Sequence, residues 1–101
     1  MATRLELHQT LVNILGSKYC YYQPPETIKM RYPAIVYNLD SIEARYADNG
    51  RYMGLNRYTV TVIDKDPDSE LPRRMITLPY CRFSRHFTSD NLHHFVFTLY
   101  A

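Results

Sequence analysis

The stretch Pro33-Ala34-Ile35-Val36-Tyr37-Asn38-Leu39-Asp40-Ser41-Ile42-Glu43-Ala44-Arg45-Tyr46, then Ala47-Asp48-Asn49-Gly50, then Arg51-Tyr52-Met53-Gly54-Leu55-Asn56-Arg57-Tyr58-Thr59-Val60-Thr61-Val62-Ile63-Asp64, decides how the rest of the chain is read. Both arms are rich in β-branched and aromatic residues, which suit a pleated, half-buried surface. Asn49-Gly50 between them is the strongest short-range hairpin signal, because both residues tolerate the positive φ of a primed turn. The stretch therefore predicts a long β-hairpin whose tip, Ala47 to Asn56, is polar and reaches beyond the core. A chain of 101 residues that spends so much of itself on one projection is expected to touch something with it.

Working outward, Ile35, Tyr37 and Leu39 point one way and Ala34, Val36 and Asn38 the other. Ile42, Ala44 and Tyr46 keep step beyond Asp40. In the second arm Tyr58, Val60 and Val62 share a face, with Thr59, Thr61 and Ile63 opposite. Val on one side and Thr on the other is the pattern of a sheet buried on one face.

Upstream, Leu7, Leu11, Ile14 and Leu15 form one apolar stripe at helical spacing, with Leu5 and Val12 beside it. Thr3 and Glu6 make a capping box, and Gly16 can close the last turn in the left-handed region. A helix is expected over Arg4 to Leu15. Lys18 to Gln23 reads as a short strand stopped by Pro24-Pro25, and Tyr32, before a proline, leads extended into the first hairpin arm.

Downstream, Asp66-Pro67-Asp68-Ser69 reads as a turn and a helix start, with Asp66 or Asp68 as the cap. Leu71, Met75 and Leu78 then share a helical face, Pro72 fits only the first turn, and Pro79 ends the helix; Ser69 to Leu78 is the expected span. Tyr80 to Phe87 and Leu92 to Tyr100 make a second hairpin across Thr88-Ser89-Asp90-Asn91. The expected fold is one α+β domain over 1–101: two layers, a mostly antiparallel sheet with a long protruding hairpin, packed against the N-terminal helix and a second short helix.

Composition narrows the function classes. Hydrophobic residues are 46% of the chain, but ten of them are Tyr and none is Trp. Tyr joins an apolar body to a polar tip, so it serves interfaces as well as cores. A net charge of +2 is too mild to argue nucleic acid from bulk electrostatics. Cys20 and Cys81 lie far apart and read as free thiols. No secretory signal or apolar run of membrane-spanning length is visible, so folding in a cytosol and no membrane partner are expected.

Catalytic patterns are missing: no Gly-x-Ser-x-Gly, no phosphate loop, no His-Glu-x-x-His. His93 and His94 are strand neighbours that leave opposite faces, and His8 is placed on a surface of the first helix. Asp64, Asp66, Asp68 and Glu70 recur every second residue, yet the Gly and Glu of a calcium loop are absent and Pro67 intervenes, so they read as acids at a helix start. No catalytic residue, cofactor or metal is expected. The informative feature is the repeated Arg-Tyr pair: Arg45-Tyr46, Arg51-Tyr52 and Arg57-Tyr58 around the hairpin tip with Asn49, and Arg31-Tyr32 before it. Arg and Tyr are hot-spot residues of protein interfaces and also the ingredients of a single-strand nucleic-acid surface. Ordinary cross-strand pairs, with Tyr on the sheet and Arg solvated, are the plain alternative.

The chain also resembles a known family, the tail terminator (tail completion, tail-to-head joining) proteins of long-tailed bacteriophages. The resemblance lies in Tyr22-Gln23-Pro24-Pro25, Met30 to Tyr37, Tyr46-Ala47-Asp48-Asn49, Arg57 to Asp64, Asp66 to Ser69, Asp90 to His94 and Phe97-Thr98-Leu99-Tyr100, which together span most of Tyr22 to Tyr100. The pair His93-His94 departs from it, standing where one histidine and a neighbouring acid belong. The resemblance implies a structural subunit of the virion, without catalytic residues, at the head-proximal end of the tail. It implies partners too: further copies in a ring, usually a hexamer, the tail tube protein and the head completion or connector protein, with DNA only as cargo through the lumen. Assembly in the bacterial host cytoplasm follows from that role. The alternative from the residues themselves is a small nucleic-acid-binding module using the Arg/Tyr-rich hairpin.

Overall fold

Apolar residues at helical and alternating spacings, separated by turn formers, divide the described residues into two helices and five strands. The structure, a computed structural model, describes residues 4–24, 29, 31–46 and 52–100, of which 43–46 and 52–55 are described as backbone. The elements are α1 (Arg4–Leu15), β1 (Cys20–Tyr22), β2 (Ala34–Tyr46), β3 (Tyr52–Asp64), α2 (Leu71–Met75), β4 (Cys81–Ser89) and β5 (Leu92–Tyr100). The strands form one sheet in the order β1-β2-β3-β5-β4, antiparallel except where β1 runs parallel to β2. Both helices pack into one core with the sheet, an α+β fold with the expected N-terminal helix and short second helix.

Helix α1 forms over the expected residues. Leu7, Leu11 and Leu15 are buried, while Leu5, off the stripe, is 70% exposed. Gly16 has φ 79° and its N–H bonds Val12 O at 2.9 Å, which satisfies a carbonyl at the helix end. The Arg74 guanidinium of α2 donates to Ile14 O at 3.3 Å and tethers that end to α2. Thr3 of the expected capping box lies outside the described residues.

The inner face of the sheet carries Ile35, Tyr37, Tyr58, Val60, Val62, Phe97 and Leu99, all buried against Leu7, Leu11, Leu15, Leu71 and Met75. The opposite face holds a smaller shielded set. Ala34, Ile63 and Val96 are buried there without belonging to the main core, so the Thr face is not wholly exposed.

Four details differ from expectation. The first strand is only Cys20–Tyr22, because Gln23 turns away at φ 44°. Gln23 still donates its N–H to Tyr37 O at 2.9 Å and accepts the Leu39 N–H at 3.2 Å, taking over the edge of β2 where β1 stops. Second, β2 carries a bulge between Leu39 and Ser41. The extra residue, Asp40, shifts the alternation, and this is why Ile42 stays in phase with Tyr37 and Leu39 despite the odd spacing. Third, α2 is five residues rather than ten: Glu70 occupies its N-cap with no side-chain capping bond, and the chain after Met75 continues as turns. Pro72 does sit in the first turn, and Leu71 and Met75 are the buried face. Fourth, β4 and β5 run closer together than expected, to Ser89 and Leu92, joined by Asp90-Asn91 at φ 53° and 61°, a primed two-residue turn.

Among the described residues no helix is long and apolar enough to cross a membrane. Cys20 and Cys81 are free thiols on opposite edge strands of the sheet, with three strands between them, out of bonding range.

Candidate interaction surface

Two surfaces stand out from the packing. The first is the ribbon that β2 and β3 make beyond the sheet. β1 accompanies β2 only over Ile35 to Tyr37, and β5 accompanies β3 only as far as Arg57, opposite Tyr100. From Ser41 in one arm and Asn56 in the other, the two strands pair with each other alone, out to Tyr46 and Tyr52. The described chain is elongated accordingly, 52 × 26 × 22 Å.

Where the ribbon leaves the sheet, Arg57 is held from both sides. Its Nε donates to Asp40 Oδ2 at 2.9 Å, and its side chain also bonds that of Tyr100 on β5. The bond with Tyr100 and the Asp40 charge hold the guanidinium above its ordinary pKa, so its charge is permanent. Tyr58, an interface candidate that also shares the face of Val60 and Val62, is 3% exposed and packs edge-on against Tyr37, ring centroids 6.1 Å apart. It belongs to the core, so of this Arg-Tyr pair only the arginine is presented. Arg45, Tyr46 and Tyr52 lie in the ribbon, with Arg45 paired to Met53 and Tyr46 to Tyr52. Asn49 and Arg51 lie outside the described residues. Arg31 is exposed and Tyr32 half-buried before β2.

The second surface, which the sequence reasoning missed, is β4. It is an edge strand with one neighbour, β5, and after Cys81 every residue of it is exposed. Of the exposed large hydrophobics among the described residues, Tyr80, Phe83 and Phe87 lie on it or one residue before it. Tyr80 is 80% exposed with φ 61°, an uncommon backbone for a bulky residue. Arg82 and Arg85 flank Phe83, and Arg85 lies over the Phe87 ring at 5.3 Å. A usable signal was present in the sequence, since Leu71 to Ser89 holds four arginines and no acid.

The histidines divide by strand face. His93 reaches His86, Nδ1 to Nε2 at 3.1 Å with the rings 9° from parallel, as one imidazole N–H bonding the other ring's nitrogen. His94 stacks on Phe87 on the other side, centroids 4.6 Å apart. His8, expected on a surface, is half-buried, and its Nδ1 lies 2.6 Å from the Tyr37 hydroxyl, toward which Arg4 also donates at 3.4 Å. Burial raises the Tyr37 pKa, the Arg4 bond acting against it. Among the described residues no three His, Cys, Asp or Glu side chains converge as a metal site.

The chain matches no family model and no curated protein.

Proposed function

We propose that this chain is a ring-forming structural subunit of a long phage tail, a tail terminator that caps the tail tube, stops its growth and joins the tail to the head connector. The ribbon is the observation that carries the reading. A two-stranded hairpin alone is marginally stable in water. Here the sheet anchors the base of one through Asp40, Arg57 and Tyr100, and an arm held at its base is suited to reach a neighbouring molecule. The sequence resemblance adds the setting, and the exposed aromatic and arginine residues of β4 supply a further sticky surface.

The test is a shortened arm. Replacing residues 44–54 by Asn-Gly closes the ribbon at the Glu43–Leu55 pair with a favoured turn. The shortened chain is expected to fold with unchanged circular dichroism but to leave tail tubes overgrown and heads unjoined in electron micrographs. Tubes of normal length, joined to heads, would reject the role of the arm.

A second reading has one observation in its favour. Arg57, Arg82 and Arg85 share the sheet face away from the helices with Tyr100 and Phe87, as a single-strand nucleic-acid platform requires. Phosphate binding weakens steeply with salt, so titration of labelled single-stranded DNA between low and moderate salt separates this reading from a protein interface.

A further inference from the structure

The charges of this chain are segregated, and the segregation describes a contact. Asp64 to Glu70 holds four acids and one lysine, whereas Leu71 to Ser89 holds four arginines and no acid. The acidic turn stands at the end of the sheet marked by the Asp64–His93 and His93–Thr88 pairs. Arg82 lies six residues back along β4 from Thr88, about 20 Å away at strand rise. Among the described residues neither Arg82 nor Arg85 forms an ion pair, and the one ion pair made by the turn's carboxylates is Glu70 with Arg74, at 3.8 Å. Asp64 and Asp66 each accept one backbone N–H, of Asp66 and Asp68, which fixes the turn with carboxylate oxygens to spare.

We infer that the β4 edge of one copy docks the acidic Asp64–Glu70 turn of a second copy, with Arg82 and Arg85 facing its carboxylates and Phe87, which shares their face and lies under Arg85, covered beside them. The inference rests on the ring reading and names the seam between subunits. Charge complementarity selects the occupant. Pairing two β4 edges about a two-fold axis would gather four arginines and no carboxylate on one seam, and like charges there oppose docking. Each patch complements the other and neither complements itself, so the contact is head-to-tail, of the kind that closes rings. Aromatic residues beside arginines are the composition of an interface centre.

Reciprocal charge reversal tests it on the full chain. The edge variant is Arg82→Glu with Arg85→Glu; the turn variant is Asp68→Lys with Glu70→Lys, which spares the bonds made by Asp64 and Asp66. All four positions are exposed, so both variants should keep the circular dichroism of the wild-type chain. Native mass spectrometry and sedimentation at low salt, over rising protein concentration, are expected to show wild-type assembly, weakened about tenfold or more in each variant alone, as for lost close charge pairs. An equimolar mixture should assemble again, with the two variants alternating, since each supplies the charge that the other needs. Assembly of either variant like wild type, or a mixture that stays apart, overturns the seam and leaves the ring reading standing. A wild type that remains monomeric throughout overturns both.

Discussion

Arg57 and Asp40 meet at 2.9 Å across the bulge where the β2–β3 ribbon departs from the sheet, and Tyr100 bonds the same guanidinium from β5. The pair is part-exposed, with side-chain exposures of 35% and 46%, so solvent screens it and its contribution to global stability is small. Its position matters more than its energy. Asp40→Ala is expected to leave the unfolding midpoint nearly unchanged while speeding amide exchange at Ser41 and Ile42. Unchanged exchange there would mean that backbone pairing alone stiffens the base of the arm.

Tyr37 is the centre of the core, fully buried with its hydroxyl bonded to His8. Tyr37→Phe keeps the ring and strands the His8 nitrogen, at a cost of about 1 kcal/mol in urea unfolding. Tyr37→Ala should cost several times that, about 3–5 kcal/mol, as for other large aromatic truncations. A double-mutant cycle of Tyr37→Phe with His8→Ala should return a coupling near the first figure, and additivity of the two changes would show that the bond contributes nothing.

Tyr80 is exposed with φ 61°, a conformation that glycine adopts freely and a tyrosine does not. Tyr80→Gly is therefore expected to stabilise the fold by up to about 1 kcal/mol. The same change should weaken association if Tyr80 lies in the seam. Thermal melting reads the first effect and sedimentation the second; a loss of stability would show that the tyrosine ring makes contacts that outweigh its backbone strain.

Burial pushes the Cys20 thiol up to about 12 from an ordinary value of 9.0. The folded chain then keeps its proton after the unfolded chain has lost it. The unfolded state binds fewer protons through this window, so stability falls as pH rises from about 9 towards 12, one proton's worth for this group. Cys20→Ala should flatten the pH dependence of urea unfolding between pH 8.5 and 10.5 by comparison with wild type. Thiol labelling at pH 8 should also reach the half-buried Cys81, whose value rises to about 11, before it reaches Cys20.

The parts of this fold that could be read from the chain are those where one local pattern acts alone. Helix α1 follows from the Leu7-Leu11-Leu15 stripe and Gly16, and the long hairpin from alternation around Asn49-Gly50. The parts that could not be read depend on residues distant in sequence. Arg57 is one: the face of Tyr58 follows from its spacing with Val60 and Val62, but the Asp40 and Tyr100 that hold Arg57 come from β2 and β5. His8 meets Tyr37 across 29 residues, and the short β1 finds β2 in parallel, which no local signal specifies. Helix α2 was overextended because Leu78 continued the apolar spacing; it packs against the core from a turn instead. The exposed edge at β4 was missed because the alternation of Tyr80 to Phe87 looks the same in an edge strand as in a central one.

The single extra residue at Asp40 works as a phase shifter for the arm. Leu39 pairs with Tyr58 and Ser41 with Arg57 on either side of it, so a one-codon deletion of Asp40 would make them ordinary strand neighbours, remove the kink and the Arg57 partner, and leave Ser41 and Ile42 on the sides they occupy now. A lineage carrying this fold could thus re-aim the arm, by losing the bend at its base, in one mutational step and without touching a core residue.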